Sequence, residues 1–186
     1  RSVFDLGSTV RALLAHSSIP VWTQPTAVAQ IERILVPVDF SEHSRRAWTL
    51  ARELAARMDV SLMLVHCFTP PAMIYAHMGG MPTGSPALIE KSRGAALAEL
   101  DRWVAESGGN VPVESTLVDS VAPERGVLNQ TKPGDLIVLG SHGRAALSRF
   151  LVGSVAQRVL RDAQAPVLIV PADGREWELG GTNDEV

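Results

Sequence analysis

The chain has 186 residues, enough for one compact α/β domain and a further segment, and a domain of about 150 residues buries roughly 70% of its unfolded surface without help from a metal or disulfide. A formal net charge of −3 and a pI near 6.0 argue against a nucleic-acid partner, which calls for a basic patch; Cys67, the only cysteine, cannot form an internal disulfide and suits a reducing, cytoplasmic compartment. No run of about 18 apolar residues is present, so no membrane span is expected, and the N-terminus lacks the pattern of a signal peptide. Arg1 in place of Met is what a processed chain, or a piece of a longer one, would show.

Ile34–Val38 is short, apolar and β-branched. It is predicted to be a buried strand with Pro37 at its end, because proline cannot donate to a central ladder. Asp39-Phe40-Ser41 then turns into a helix. Ser41 is the candidate N-cap, Glu42 favours the positive helix end, and Ala47, Leu50, Ala51, Leu54 and Ala55 follow helical spacing. Ser61–Cys67 is the second strand. Residues 69–86, with Thr69-Pro70-Pro71 at one end and a Gly- and Pro-rich run from Met78 to Pro86 at the other, form a long loop. It is either a lid carrying Met73, Met78 and Met81 or a connector.

Ala87–Ser107 reads as a helix ended by Gly108-Gly109, Val113–Val118 as the third strand, and Pro123–Thr131 as a helix stopped by Lys132-Pro133-Gly134. Leu136–Leu139 is the fourth strand, Ser154–Asp162 the last helix and Val167–Val170 the fifth strand. The tail from Asp173 onward is polar and expected to fray. Strands alternating with helices imply a parallel sheet covered on both faces.

The chemistry concentrates where the fourth strand ends. Leu136-Ile137-Val138-Leu139 runs into Gly140, Gly143 follows, and nine residues later Gly153-Ser154 opens an amphipathic stretch starting at Val155. This reads as strand, tight loop and helix N-terminus. Glycines admit close backbone approach, and a helix start offers unpaired N–H donors and partial positive charge, a combination suited to phosphate. The competing reading makes the glycines turn residues that need positive φ. Asp39, at the carboxyl end of the first strand, lies where open α/β sheets bind ligands; the competing reading, compatible with it, is a helix-start carboxylate stabilised by the dipole.

Cys67 ends the second strand, where an ordinary buried cysteine is the plain alternative. Ser141 and His142 lie inside the loop, and Arg144 and Arg149 follow it as phosphate ligands or solvated charges. His43, His66 and His77 show no metal-ligand spacing and read as ordinary surface or strand-end residues, and Trp22 and Trp48 read as packing residues. There is no Walker A sequence, no Gly-x-Gly-x-x-Gly and no Gly-x-Ser-x-Gly. No triad or carboxylate pair stands out, so no catalytic residue is assigned.

A repeat appears at an offset of 146. Ser2, Phe4, Gly7, Ser8, Leu14, Pro20, Val21 and Pro25 are identical to Ser148, Phe150, Gly153, Ser154, Leu160, Pro166, Val167 and Pro171, without a gap. Residues 1 to about 26 therefore read as the last helix and strand of a preceding copy of the domain; the alternative is a coincidence of two helix–strand units. An orphan helix and strand cannot fold alone. Ile19–Thr23 is accordingly expected to add to a sheet edge, antiparallel to Val167–Val170, within the chain or on a partner.

Pro37-Val38-Asp39-Phe40-Ser41, Val65-His66-Cys67 and Gly140-Ser141-His142-Gly143-(nine residues)-Gly153-Ser154 together resemble the universal stress protein family, in its branch with an intact ATP-binding motif. The resemblance covers about Glu32–Pro171. With the repeat, it divides the chain into a helix–strand remnant at 1–28, a domain at 32–172 and a polar tail at 173–186. It implies an α/β fold like that of the adenine-nucleotide alpha hydrolases: a five-stranded parallel sheet in the order 3-2-1-4-5 with helices on both faces. It also implies a homodimer joined through the fifth strands, and ATP binding with Mg or Mn at the phosphates.

By the same resemblance Pro37 and Val38 would wall the adenine pocket, Cys67 would offer it backbone groups, and Asp39 would bind a ribose hydroxyl or help near the metal. Leu139, Gly140, His142, Gly143 and Arg144 would line the phosphate loop, with Gly153, Ser154 and Val155 at the helix start. The implied function is an ATP-binding regulatory module of the stress response without a clear catalytic apparatus. The alternatives are a slow ATPase or nucleotide-dependent transferase, and an interaction domain with a vestigial site.

Overall fold

Three apolar runs bury both of their faces and so form the middle of a sheet. Ile34, Leu35 and Val36, then Leu136 to Leu139, then Val167 to Val170 are all buried. The computed structural model describes residues 8–24, 30–70, 85–109, 111–143 and 152–171. Their elements run α1 (Ser8–His16), β1 (Val21–Thr23), β2 (Arg33–Pro37), α2 (Glu42–Met58), β3 (Ser61–Phe68), α3 (Pro86–Ala105), β4 (Val113–Asp119), α4 (Pro123–Gln130), β5 (Asp135–Gly140), α5 (Ser154–Asp162) and β6 (Val167–Val170). The expected loop at 69–86 lies mostly outside the described residues, as does the tail from residue 172.

The sheet order is β1-β6-β5-β2-β3-β4. This corrects the expectation of five strands, all parallel. There are six, and the sheet is mixed, because β1 pairs antiparallel with β6 while the other neighbours are parallel. The five parallel strands keep the order 3-2-1-4-5 among themselves. The physical reason for the sixth is the edge: without β1, the outer N–H and C=O groups of β6 would have no ladder partner. The antiparallel addition of the N-terminal strand is what the repeat led us to expect, and it occurs within the chain. It also occupies the edge that dimerisation through the fifth domain strand would use.

Alternation along the strands splits the core into two layers. Ile34, Val36, Leu62, Leu64, Leu136, Val138 and Leu168 pack under Trp48 and the alanines of α2 and under Leu100 and Trp103 of α3. Leu35, Val65, Ile137, Leu139, Val167 and Ile169 face the other way, against Val127 of α4, Ala156 and Val159 of α5 and Leu14 of α1. Burying one leucine such as Leu14 contributes about 2 kcal/mol, a term that helps hold a strand of only three residues at the edge. Ser41 caps α2, accepting from the Ser44 N–H at 3.3 Å. Beyond α3 the chain passes Gly108 at φ +41° and Gly109 at φ +133°, conformations that side-chain-bearing residues rarely adopt.

The amino ends of β2 and β5 are locked by one ion pair. Arg33 donates from Nε and Nη2 to the two oxygens of Asp135, at 2.8 and 2.7 Å, and the Lys132 N–H adds a third bond to the carboxylate at 2.7 Å. The two residues are ladder partners. Among the described residues no helix is long and apolar enough to cross a membrane.

Two outcomes follow. Asp135→Ala strands Arg33 beside a buried gap and should cost about 3 kcal/mol in urea unfolding. A chain starting at residue 30 bares the β6 edge and the apolar surface beneath Leu14, and should self-associate in sedimentation velocity where residues 1–186 do not; unchanged sedimentation would show that β1 does not protect this edge.

Candidate functional site

Ligand crevices in open α/β sheets form at the carboxyl ends of neighbouring strands whose connections leave in opposite directions. Here that point lies between β2 and β5, since β2 leads through α2 to β3, and β5 leads through α5 to β6 on the other side. Asp39 follows β2 and Gly140 ends β5, so the fold brings the two motifs together.

The Asp39 carboxylate is held locally. Its Oδ1 accepts from the Ser41 N–H at 3.1 Å and the Ser41 hydroxyl at 2.5 Å. Its Oδ2 faces the glycine loop: a Cβ on Gly143 would lie 2.7 Å from it. A Cβ on Gly140 would lie 2.9 Å from the His43 carbonyl oxygen in the first turn of α2. Neither glycine, nor Gly153, has a positive φ. The left-handed-turn reading therefore falls. What these positions require is room, for a carboxylate on one side and a helix backbone on the other.

The loop is tied down at several points. The Ser141 N–H donates to the Val170 carbonyl at 2.7 Å, and the Gly153 N–H donates to the Ser141 carbonyl at 2.7 Å. Gly153 is the N-cap of α5 and supplies no side chain to cap it; a Cβ there would meet the Ser141 oxygen at 3.3 Å. Ser154 and Val155 form the first turn, whose N–H groups have no intrahelical acceptor. The Gly140–Gly143 loop and the α5 start thus converge on one another. On α5, Ala156 and Val159 pack into the core and Arg158 donates to Glu124 of α4 at 3.1 Å.

Ser141 Oγ and His142 Nδ1 lie 2.8 Å apart and both residues are buried. The His142 ring sits 5.7 Å from that of His43. His43, read from the sequence as ordinary, therefore lies beside the glycine loop, with its carbonyl against Gly140 and its ring near that of His142; its place two residues after the candidate N-cap Ser41 was the available signal. Phe40, also missed, holds φ +62° between Asp39 and Ser41 and stacks on His66 at 4.3 Å. The His66 Nδ1–H donates to the Val38 carbonyl at 2.8 Å.

The remaining expected site residues separate. Val38 is buried in the core under α2 and α3, and its N–H donates to the Val65 carbonyl at 2.9 Å. Leu139 is likewise in the core, on the other face, while Pro37 is half-buried at the end of β2. Cys67 turns its thiol away toward α4, where it donates to the Pro123 carbonyl at 3.3 Å. Burial, and secondarily the nearby Glu124, push that thiol up to about 11. Arg144 and Arg149 lie outside the described residues. A hollow of about 300 Å³, lined by Thr49, Arg52, Leu62, Ser107 and Val113, opens at the amino ends of β3 and β4 and is remote from this crevice.

Comparison with known proteins bears on the family and the fold. A model of the universal stress protein family matches residues 30–171. A universal stress protein of Mycolicibacterium smegmatis is 32% identical over 171 residues, covering 89% of this chain and 55% of that protein, so the chain spans about half the length of its mycobacterial relatives. Universal stress protein MJ0531 of Methanocaldococcus jannaschii is 31% identical over 150 residues, covering 78% of this chain and 85% of that protein. Among solved structures, a universal stress protein in complex with cAMP superposes with a TM-score of 0.51 and 26% identity, covering 77% of this chain and 98% of that one. With the family region spanning well over half of its length, the chain belongs to the universal stress protein family.

Proposed function

We propose that the crevice between β2 and β5 binds an adenine nucleotide, with ATP as the first candidate, and that the chain is a nucleotide-responsive regulatory module of the stress response. The observation that carries this reading is the convergence of Asp39, the Gly140–Gly143 loop and the start of α5 at one point on the carboxyl side of the sheet. The backbone donors of Gly143, Ser154 and Val155 suit phosphate oxygens, because a helix start and a loop without Cβ atoms admit anions at hydrogen-bonding distance. The cAMP carried by one solved relative supports the adenine class.

Asp39 has two chemically compatible tasks, accepting from a ribose hydroxyl or meeting a cation. Among the described residues no cluster of three or more His, Cys, Asp and Glu side chains is placed to hold a metal. Magnesium or manganese would therefore arrive with the phosphates, taking at most one protein carboxylate, a common mode for Mg²⁺. Pro37 and the backbone of Cys67 are left to flank the base, since Val38 and Leu139 spend their side chains in the core. Dimerisation through the fifth domain strand belongs, on this reading, to a form from which β1 has been withdrawn.

Isothermal titration with ATP, ADP and cAMP, each with and without Mg²⁺, tests the reading. Binding of at least one is expected. Gly153→Val, which fills the backbone approach, should weaken it by more than about 10-fold, and Asp39→Asn by about 10-fold, the worth of one charge-assisted hydrogen bond. Folded protein that binds no adenine nucleotide under any of these conditions overturns it.

The raised Cys67 thiol has a separate consequence. With its proton retained until about pH 11, it should react with iodoacetamide at pH 8 at under about a tenth of the rate of free cysteine, and the rate should still be climbing above about pH 10. A rate that levels off near pH 9 would show that burial does not control this thiol.

A further inference from the structure

The hollow at the amino ends of β3 and β4 lies at the opposite end of the sheet from the crevice, and its lining suits a different ligand. Its floor is apolar. Leu62 is fully buried, while Val111 and Val113 are only partly buried where they pack against the core. The Leu62 N–H donates to the Pro112 carbonyl at 2.9 Å and stitches this floor together. One wall is the second half of α2, with Thr49, Arg52, Glu53 and Ala56; opposite it, Ser107, Gly108 and Gly109 carry the chain out of α3. A Cβ on Gly109 would meet nothing within 4 Å, so that rim is open. At about 300 Å³ the space is at the small end of the range for small-molecule sites, suited to a molecule of amino-acid size.

The Arg52 guanidinium is held from two sides. Its Nη2 donates to the Ser107 carbonyl, and its central carbon lies 5.9 Å from the centre of the Trp48 ring. Neither contact supplies a counter-charge: among the described residues no carboxylate lies within ion-pair distance of Arg52. Glu53, the next residue, lines the same hollow and also has no hydrogen-bond or ion-pair partner among the described residues. Adjacent residues on a helix do not face each other, so the two charges flank the hollow and do not close on one another. The Thr49 and Ser107 hydroxyls donate to the carbonyls of Arg45 at 3.1 Å and Val104 at 2.5 Å, which leaves both with acceptor capacity only. The lining thus offers one positioned cation, one anion, two further acceptors and an apolar floor.

We propose that this hollow binds a free α-amino acid with an apolar side chain. The ligand carboxylate meets the Arg52 donors that Ser107 leaves over, its ammonium lies toward Glu53 and the two hydroxyl oxygens, and its side chain covers Leu62, Val111 and Val113. A zwitterion answers both charges of the lining at once. A simple carboxylate leaves Glu53 unanswered and a simple amine leaves Arg52 so, which is the basis for discrimination. Because the guanidinium is already fixed on Ser107 and Trp48, little side-chain freedom is lost on binding. The hollow shares helix α2 with the crevice but none of its residues, so it stands whether or not the crevice takes a nucleotide.

The test is a titration of nitrogen-15-labelled protein with L-leucine, L-valine and L-phenylalanine, followed by NMR amide shifts. At least one is expected to bind with a Kd of about 1 mM or tighter and to move the amides of Gly108, Gly109 and Val113. 4-Methylpentanoate, which is leucine without its ammonium, and 3-methylbutylamine, which lacks the carboxylate, should each bind at least about 10-fold more weakly. Arg52→Ala should weaken amino-acid binding by about 10-fold or more, and Glu53→Gln, at an exposed position, by about 3-fold. Ala56→Trp, also at an exposed position, should fill the hollow and abolish the shifts while the circular dichroism of the fold is unchanged. It and Glu53→Gln keep the test decisive if Arg52→Ala, having lost the Ser107 contact, does not fold. Folded protein that shows no shifts with any of the three amino acids at about 20 mM, shifts that survive Ala56→Trp, or 4-methylpentanoate binding as tightly as leucine would each overturn the proposal; the last would assign the hollow to a simple carboxylate.

Discussion

Because β2 and β5 lie side by side and parallel, with both faces of each buried, the only parts of them open to a ligand are the loops beyond their carboxyl ends. Everything at the site descends from that pairing. Ile34 opposite Leu136 and Leu35 opposite Ile137 set the register. The Arg33–Asp135 pair closes the amino ends, so the ladder cannot slip without leaving a charge uncompensated in the interior. A slip of one residue would also exchange the two core layers, setting Leu35 against Trp48. With register fixed, Asp39 and Gly140 must emerge together, and the first turns of α2 and α5 must point their donor ends toward the same space.

Inside that space the glycines act by absence. The Asp39 carboxylate and the His43 carbonyl both sit where a side chain on Gly143 or Gly140 would be. The loop is thus held in close contact with α2 by what the sequence omits and anchored to β6 by what its backbone donates. Phe40 shows the converse. A bulky residue at φ +62° is strained, and strain of this kind, of order 1–3 kcal/mol, persists only where the surroundings insist on it. Here His66 and Trp103 grip the ring, the latter edge-on at 5.7 Å, and Ser41 grips the preceding carboxylate from the other side. The result is an Asp39 whose position is set before any ligand arrives.

Much of this was legible in the residues. Continuous aliphatic runs can satisfy only strands buried on both faces, so β2, β5 and β6 were read within a residue of their limits. The spacing of Gly140, Gly143 and Gly153 predicted that a loop and a helix start would meet. Side-chain direction was not legible. Val38 and Leu139 flank the crevice in sequence, yet alternation sends their side chains into opposite core layers, and Cys67 points to α4 for the same reason. The roles of His43 and Phe40 depend on contacts between elements remote in the chain, which no local pattern records. The sixth strand was visible only through the repeat: three residues, Val-Trp-Thr, carry too little periodicity to announce a strand by themselves.

Strand β6 joins the two halves of the structure. On one edge it pairs with β5 and on the other with β1; at its last ladder residue, the Val170 carbonyl receives the Ser141 N–H of the glycine loop. The Gly153 N–H then donates to the Ser141 carbonyl, so a single short path of backbone hydrogen bonds runs from the outer edge of the sheet, through β6, to the start of α5. A strand with both edges paired resists fraying, and one with a bare edge does not. The N-terminal segment therefore does more than cover apolar surface: by completing the ladder on β6 it steadies the strand from which the loop beside Asp39 is hung.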